Sequence, residues 1–280
     1  MILTTIDQFI AAMPTAAEVE KFEDLKPYCN SAELWIKNNV LGKDLYAAID
    51  IEDFADADLL QLCISVIANH AYWDAIPFLD LVHTNSGFGV ISANNRVPAS
   101  KERVERLREQ CLIRRDNEVE NLIDFLEQTD IYHDDWKGSP AYSILSDCLI
   151  QTAHELETFS EWTGTRKDFL KLRPKLIQET MLRIEPVLSS DYIAELIEKQ
   201  RDGDLGADDL KVSLLIKQSL GCLLTGNHEA ARKIAADALR YIDNNLASFT
   251  TYSNSSEYLA RMSENYTNTA DSQIFSSIYQ

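Results

Sequence analysis

Residues 22–49 recur at residues 169–196. Without a gap the two stretches share seven residues in 28: Phe22 with Phe169, Leu25 with Leu172, Pro27 with Pro174, Val40 with Val187, Leu41 with Leu188, Asp44 with Asp191 and Ala47 with Ala194. Ordinary residue frequencies give about two. Four further pairs keep apolar character at the same offset of 147: Leu34 with Met181, Trp35 with Leu182, Tyr46 with Ile193, and Ile49 with Leu196. Asp58-Leu59 then meets Asp209-Leu210 after a small insertion. A repeat of this length commits the chain to two units of one kind that pack together.

The units read as helical. Thr5 with Gln8 forms a capping box that opens a short helix ending before Pro14. Phe22 to Leu41 is the next helix. Pro27 falls in its first turn, where a missing N–H costs little, and Gly42 stops it. A short helix follows over residues 43–49. Asp56-Ala57-Asp58 caps a long apolar helix that Pro77 ends, with His70 as a core residue inside it. Ser100 starts another long helix through Val104, Leu107, Cys111, Val119, Leu122 and Leu126, whose Arg, Glu and Asp face reads as solvated. Tyr132 to Gly138 reads as an exposed acidic loop. Ser139-Pro140 opens a helix with Leu145, Leu149, Thr152, Leu156 and Phe159 on one stripe. Residues 214–242 form a helical hairpin turned at Thr225-Gly226-Asn227, which resembles half a tetratricopeptide unit. The expected fold is therefore mainly α. It has two duplicated helical units packed together, 1–138 and 139–247, then a polar tail, 248–280, with a short helix around Glu257 to Met262.

One stretch departs from helix. His83 to Ser100 carries Gly87 and Gly89 around Phe88, a short apolar run through Val90 and Ile91 to Ser92, a turn signal at Ala93-Asn94-Asn95, and Pro98. It predicts a β arm or hairpin near residues 84–97. Thr84, Asn85, Gly87, Phe88, Gly89, Val90 and Ile91 are its candidate partner-binding residues; the plainer alternative is a connector between two helices. A phosphate loop is a poor reading, because the glycines precede the strand instead of joining a strand to a helix N-terminus. A second candidate contact lies in the tail, where Ile274, Phe275, Ile278 and Tyr279 are spaced among polar residues. This chain or a neighbour would have to hold such a segment in place.

Charge bounds the partners. With 45 acidic against 26 basic residues the net charge is −19, which repels phosphates and argues against wrapping nucleic acid. Cys29, Cys63, Cys111, Cys148 and Cys222 are dispersed within apolar helical patterns. They read as buried thiols of a reducing compartment. Met1 to Ile10 lacks a basic region and carries Asp7, so no signal peptide is expected, and no apolar run reaches membrane-spanning length. The chain is expected to be soluble. No chemistry stands out. His154-Glu155-Leu156-Glu157 begins like a zincin helix but has Thr158 where the second His belongs, and His133-Asp134-Asp135 is more simply an acidic surface. The reading is a non-enzyme with no cofactor and no metal.

Several motifs together resemble an uncharacterised family of phage and prophage structural proteins of gut bacteria. They are Thr4-Thr5-Ile6-Asp7, Leu25-Lys26-Pro27 with Glu33, Val40-Leu41-Gly42 with Leu45-Tyr46, Thr84 to Val90, Pro98 to Val104, and Thr165 to Pro174. The first unit is also similar to head–tail connector (adaptor) proteins. Val187-Leu188-Ser189 lacks the glycine of the first unit, a departure from an equally faithful second copy. The resemblance implies a virion role. Copies would form a homo-oligomeric ring of the phage neck, with twelve-fold symmetry among the options, on or below the portal and in contact with other neck and tail proteins. Genome DNA would only pass through its acidic channel, with no specific nucleic-acid binding and no membrane. Assembly would take place in the host cytoplasm. The alternative is a helical protein-binding adaptor that is not part of a virion.

Overall fold

The computed structural model describes residues 1–14, 22–79, 81–84, 87–90 and 100–264. They are mainly helical. The chain divides into two compact units. Unit 1 comprises Met1–Asp147, Gln151–Glu155 and Thr163–Lys171, and unit 2 comprises Cys148–Ile150, Leu156–Trp162 and the chain from Leu172 on.

Unit 1 starts with α1 (Ile6–Ala12), whose capping box forms as expected from Thr5 and Gln8. Next come α2 (Phe22–Ile36), a π-helical stretch (Lys37–Leu41), α3 (Lys43–Ile49) and α4 (Ala57–Ala75), capped by the Asp56 side chain at the N–H of Leu59. A 3-10 turn at Ile76–Phe78 takes up Pro77. Two strands, β1 (Leu81–Thr84) and β2 (Gly87–Val90), pair antiparallel with Leu81 opposite Val90 and Thr84 opposite Gly87. This pair lies upstream of the turn expected at residues 93–95, which fall outside the described residues. Then follow α5 (Lys101–Gln128), α6 (His133–Lys137) and α7 (Pro140–Leu145). Arg108 meets Trp73, Arg115 meets His70, and Tyr132 just past α5 donates to Asp56 at the start of α4. So α5 runs antiparallel to α4, and α2 packs on the same central helix. Cys63, Val66, Ile67 and Ala71 of α4, Leu25, Cys29 and Ile36 of α2, and Val119, Leu122 and Leu126 of α5 close the core. Each large aliphatic side chain so buried stabilises by about 1.5–3 kcal/mol.

Two expectations fail here. Residues 132–138 are not a loop, because residues 133–137 form α6, while Asp134 and Asp135 are exposed as expected. Trp136 is fully buried there and its indole N–H donates to the Val40 carbonyl at 2.9 Å. An indole is large enough to drive the burial and has a polar edge that needs a partner. The stripe from Leu145 to Phe159 is not one helix. α7 stops at Leu145, and α8 (Ala153–Phe159) begins only after Cys148, Leu149 and Ile150 have buried in a bent, non-helical segment.

The later elements are α9 (Arg166–Glu179), a π-helical stretch (Thr180–Ile184), α10 (Glu185–Leu188), α11 (Ser190–Asp202), α12 (Ala207–Leu224), α13 (His228–Asn244), α14 (Thr250–Ser253) and α15 (Ser256–Glu264). Gly226 at φ +80° closes the α12–α13 hairpin, with the Asn227 N–H bonded to the Cys222 carbonyl at 2.9 Å. Tyr192 packs edge-on to Phe249 and Tyr252, its hydroxyl donating to Asp209.

Local geometry recurs at the offset of 147. α2 and α9 each contain a proline, Pro27 or Pro174, and each runs into a π-helical stretch. Gly42 then stands at φ +80°, ψ 176°, and Ser189 at φ +69°, ψ 144°, each preceding a new helix. That region is nearly reserved for glycine. Ser189 nevertheless occupies it, fully buried, and its hydroxyl caps α11 at the N–H of Tyr192. At Gly42 a Cβ would meet that of Ser139 at 2.3 Å, so glycine is required there for space as well as for φ. The match of Asp58-Leu59 with Asp209-Leu210 does not carry over. Leu59 is fully buried, whereas Leu210 is 46% exposed.

Candidate functional site

Three places in the described residues combine unusual chemistry or open space with a defined set of side chains. The first is an aromatic stack in unit 1. Trp35 of α2 is half-buried, and the Arg115 guanidinium lies over its ring at 4.5 Å from the centroid. The His70 imidazole also lies against Trp35, 4.7 Å away between centroids, and meets Trp73 edge-on at 5.6 Å. Arg108 covers Trp73 at 4.8 Å. Arg115 donates to His70 Nδ1 at 3.4 Å, which requires a neutral ring. Burial, and then the Arg115 charge, push the His70 pKa down to about 4. The core reading of His70 from the sequence holds.

The second is a set of charges on α5 that sequence reasoning assigned to solvent. Asp116 and Glu120 are buried. Asp116 accepts from Arg115 Nε at 3.0 Å and from the Lys167 N–H at 3.2 Å, and so faces the positive end of α9. Glu120 pairs with the buried Arg166 and accepts from the His154 N–H at 3.1 Å. Period counting along α5 places these acids on a charged face. Their partners are 46 and 51 residues away in sequence, and no local pattern signals them. The arrangement ties Thr163–Lys171 into unit 1; a buried carboxylate is tolerable only with such partners.

The third is a groove in unit 2 of about 640 Å³. Leu182, Ile184, Pro186 and Val187 form one wall, Leu223 of α12 lies across from it, and Ala231, Ala235, Ala236 and Leu239 of α13 complete it. Arg183, Arg232 and His228 stand at its rim. Small alanines on α13 leave the space, and nothing in the spacing of the sequence announces it.

Of the residues nominated from sequence, Thr84 lies in β1, and Gly87, Phe88, Gly89 and Val90 lie in β2. The register brings Thr84 opposite Gly87. Asn85, Ile91, Ile274, Phe275, Ile278 and Tyr279 lie outside the described residues. Among the described residues no group of three or more His, Cys, Asp or Glu is placed to hold a metal ion, and no helix is long and apolar enough to cross a membrane. Other perturbed groups have structural causes. Burial and then Glu33 push the Cys29 thiol up to about 12, and burial pushes Cys111 up to about 11. Hydrogen bonds from Lys171 and Thr165 pull Asp168 down to about 2.

A family of unknown function, DUF6712, matches residues 17–144. The chain is similar to that family over a span that takes in the aromatic stack, Asp116, Glu120 and the strand pair, and ends before the groove. No curated protein and no solved structure matches the chain.

Proposed function

We propose that this chain is a non-enzymatic structural protein of a phage particle, a head–tail connector or ring component of the neck. On this reading it assembles as a homo-oligomeric ring on or below the portal. The two units are duplicates, and each copy keeps an apolar contact surface. One observation carries the assembly part of this reading. At offset 147, Leu34 and Met181 are 59% and 57% exposed. Core packing does not require apolar residues at such positions, so their recurrence in both units supports surfaces that another protein covers. The virion part rests on the resemblance of Thr84 to Val90, Pro98 to Val104 and Thr165 to Pro174 to motifs of phage structural proteins. The net charge of −19 suits a channel through which DNA slides without sticking. Contact between copies is assigned to the central segment, Thr84 to Ile91.

Negative-stain microscopy of the purified protein, with the mass in solution from light scattering, tests the reading. Closed rings of uniform size are expected, alone or on addition of portal. A monomer in both conditions overturns it. The second reading, a helical adaptor outside any virion, is favoured by the open groove beside the α12–α13 hairpin. It predicts a monomer that captures a peptide.

A further inference from the structure

The groove of unit 2 and the aromatic stack of unit 1 occupy related places. Each lies beside the π-helical stretch that precedes a positive-φ residue, against the two long helices that follow. In unit 1 the place is filled by Trp35, with Arg115 over its ring. In unit 2 the residue at the same offset is Leu182, which lines an open groove. Unit 2 thus has the walls for an aromatic side chain and does not supply one from that position.

A second observation concerns the end of the described chain. α15 packs on α10, and Pro186 and Val187 of α10 form part of the groove wall. The chain beyond Glu264 therefore starts within about a helix length, roughly 13 Å, of an element that lines the groove. Eight residues, 265–272, precede Gln273-Ile274-Phe275-Ser276-Ser277-Ile278-Tyr279-Gln280. Eight residues span up to roughly 26–29 Å. That is ample for the apolar residues to return to a groove whose wall α15 already touches. The rim is basic through Arg183 and Arg232, both exposed, while the linking residues carry Asp271.

We propose that this groove is the seat of the chain's own segment from Gln273 to Gln280. An aromatic side chain of the segment, Phe275 or Tyr279, takes the place that Trp35 fills in unit 1. Ile274 and Ile278 lie along the alanines of α13, and a rim arginine covers the ring as Arg115 covers Trp35. The inference goes beyond the ring reading and stands whether or not rings form.

Photocrosslinking of the full-length protein tests it. Phe275 is replaced by p-benzoylphenylalanine, nitrogen-15-labelled and unlabelled chains are mixed, and the linked peptides are mapped by mass spectrometry. Links to Leu182, Val187, Ala235, Ala236 or Leu239 within peptides of one isotopic composition are expected. Ala236→Trp, at an exposed position that fills the groove, should cut their yield about tenfold; circular dichroism checks that this variant folds. Links that miss the groove, or that survive Ala236→Trp, overturn the proposal. Links found only between chains of different isotopic composition also overturn it, since a neighbour's segment then holds the seat. The mass measured on the same sample reports separately on ring formation.

Discussion

The aromatic stack and the groove show what one side chain decides within a shared local plan. Both units run a proline-containing helix into a π-helical stretch and then a positive-φ residue. Trp35 closes the space in unit 1, with His70 and Arg115 packed against its ring, whereas Leu182 and the alanines of α13 leave it open in unit 2. Filling yields a rigid stack, and leaving the space open yields a place for something else. Buried charge differs in the same sense. Glu120 and Arg166 are both buried in unit 1, whereas Asp209 of unit 2 pairs with Lys199, which keeps about a third of its side chain in water.

That last contrast sets the largest expected effect. Glu120→Ala strands the Arg166 charge and should cost about 3–5 kcal/mol. Asp209→Ala should cost less, because Lys199 can turn toward solvent. Urea unfolding of the two variants checks the order, and equal losses would break the contrast.

Acid should act next, on unit 1. The His70 pKa is about 4 in the folded chain against about 6.5 unfolded, so the unfolded chain binds the proton first. Stability is unaffected above pH 6.5 and falls as the pH drops from about 6.5 to 4, by roughly 3 kcal/mol in total. His70→Gln should flatten this part of the pH profile in denaturation followed at pH 7, 5.5 and 4. An unchanged slope would mean that His70 is not held neutral.

Trp35→Leu converts the stack toward the groove. A loss of about 2 kcal/mol is expected, since Trp35 is only half-buried, together with faster amide exchange in α4. The converse, Leu182→Trp, should change stability by less than about 1 kcal/mol, because the space is already present.

The smallest effect should be at Ser189. Ser189→Gly relieves an unfavourable φ but removes the cap on Tyr192, and the two contributions, each about 1 kcal/mol, should nearly cancel. Gly42→Ser has no such balance. Its Cβ would clash with Ser139, and a melting-temperature drop well beyond that of Ser189→Gly is expected.

Much of the helical plan was legible because it is written locally. The Thr5 capping box, the Asp56 cap and the Gly42 stop each act within four residues of their position, and all three form. The recurring proline helix and π-helical stretch fall at the offset where the identities lie, and identities at one offset need no knowledge of contacts. What stayed hidden depends on partners distant in sequence. The acids of α5 look solvated until Arg166 and Lys167 are brought to them. Trp136 looks like part of a polar loop until Val40 offers it a carbonyl. Ser189 showed no glycine, so the recurring positive φ could not be read from residue type. The groove results from small residues on one helix meeting a leucine on another element, and composition records neither the meeting nor the space.

The cysteines have a practical consequence. Burial holds the Cys29 and Cys111 thiols up to about 12 and 11, the Cys63 thiol is raised for the same reason, and Cys148 is buried with its sulfur against the Ile150 carbonyl at 2.9 Å. Cys222 alone is only half-buried, and it sits on α12 next to Leu223 of the groove wall. A maleimide dye should therefore attach at that position first in the native sequence. The chain thus carries its own spectroscopic ruler, placed where the distance to a second label near the end of the sequence can be read without removing any other thiol.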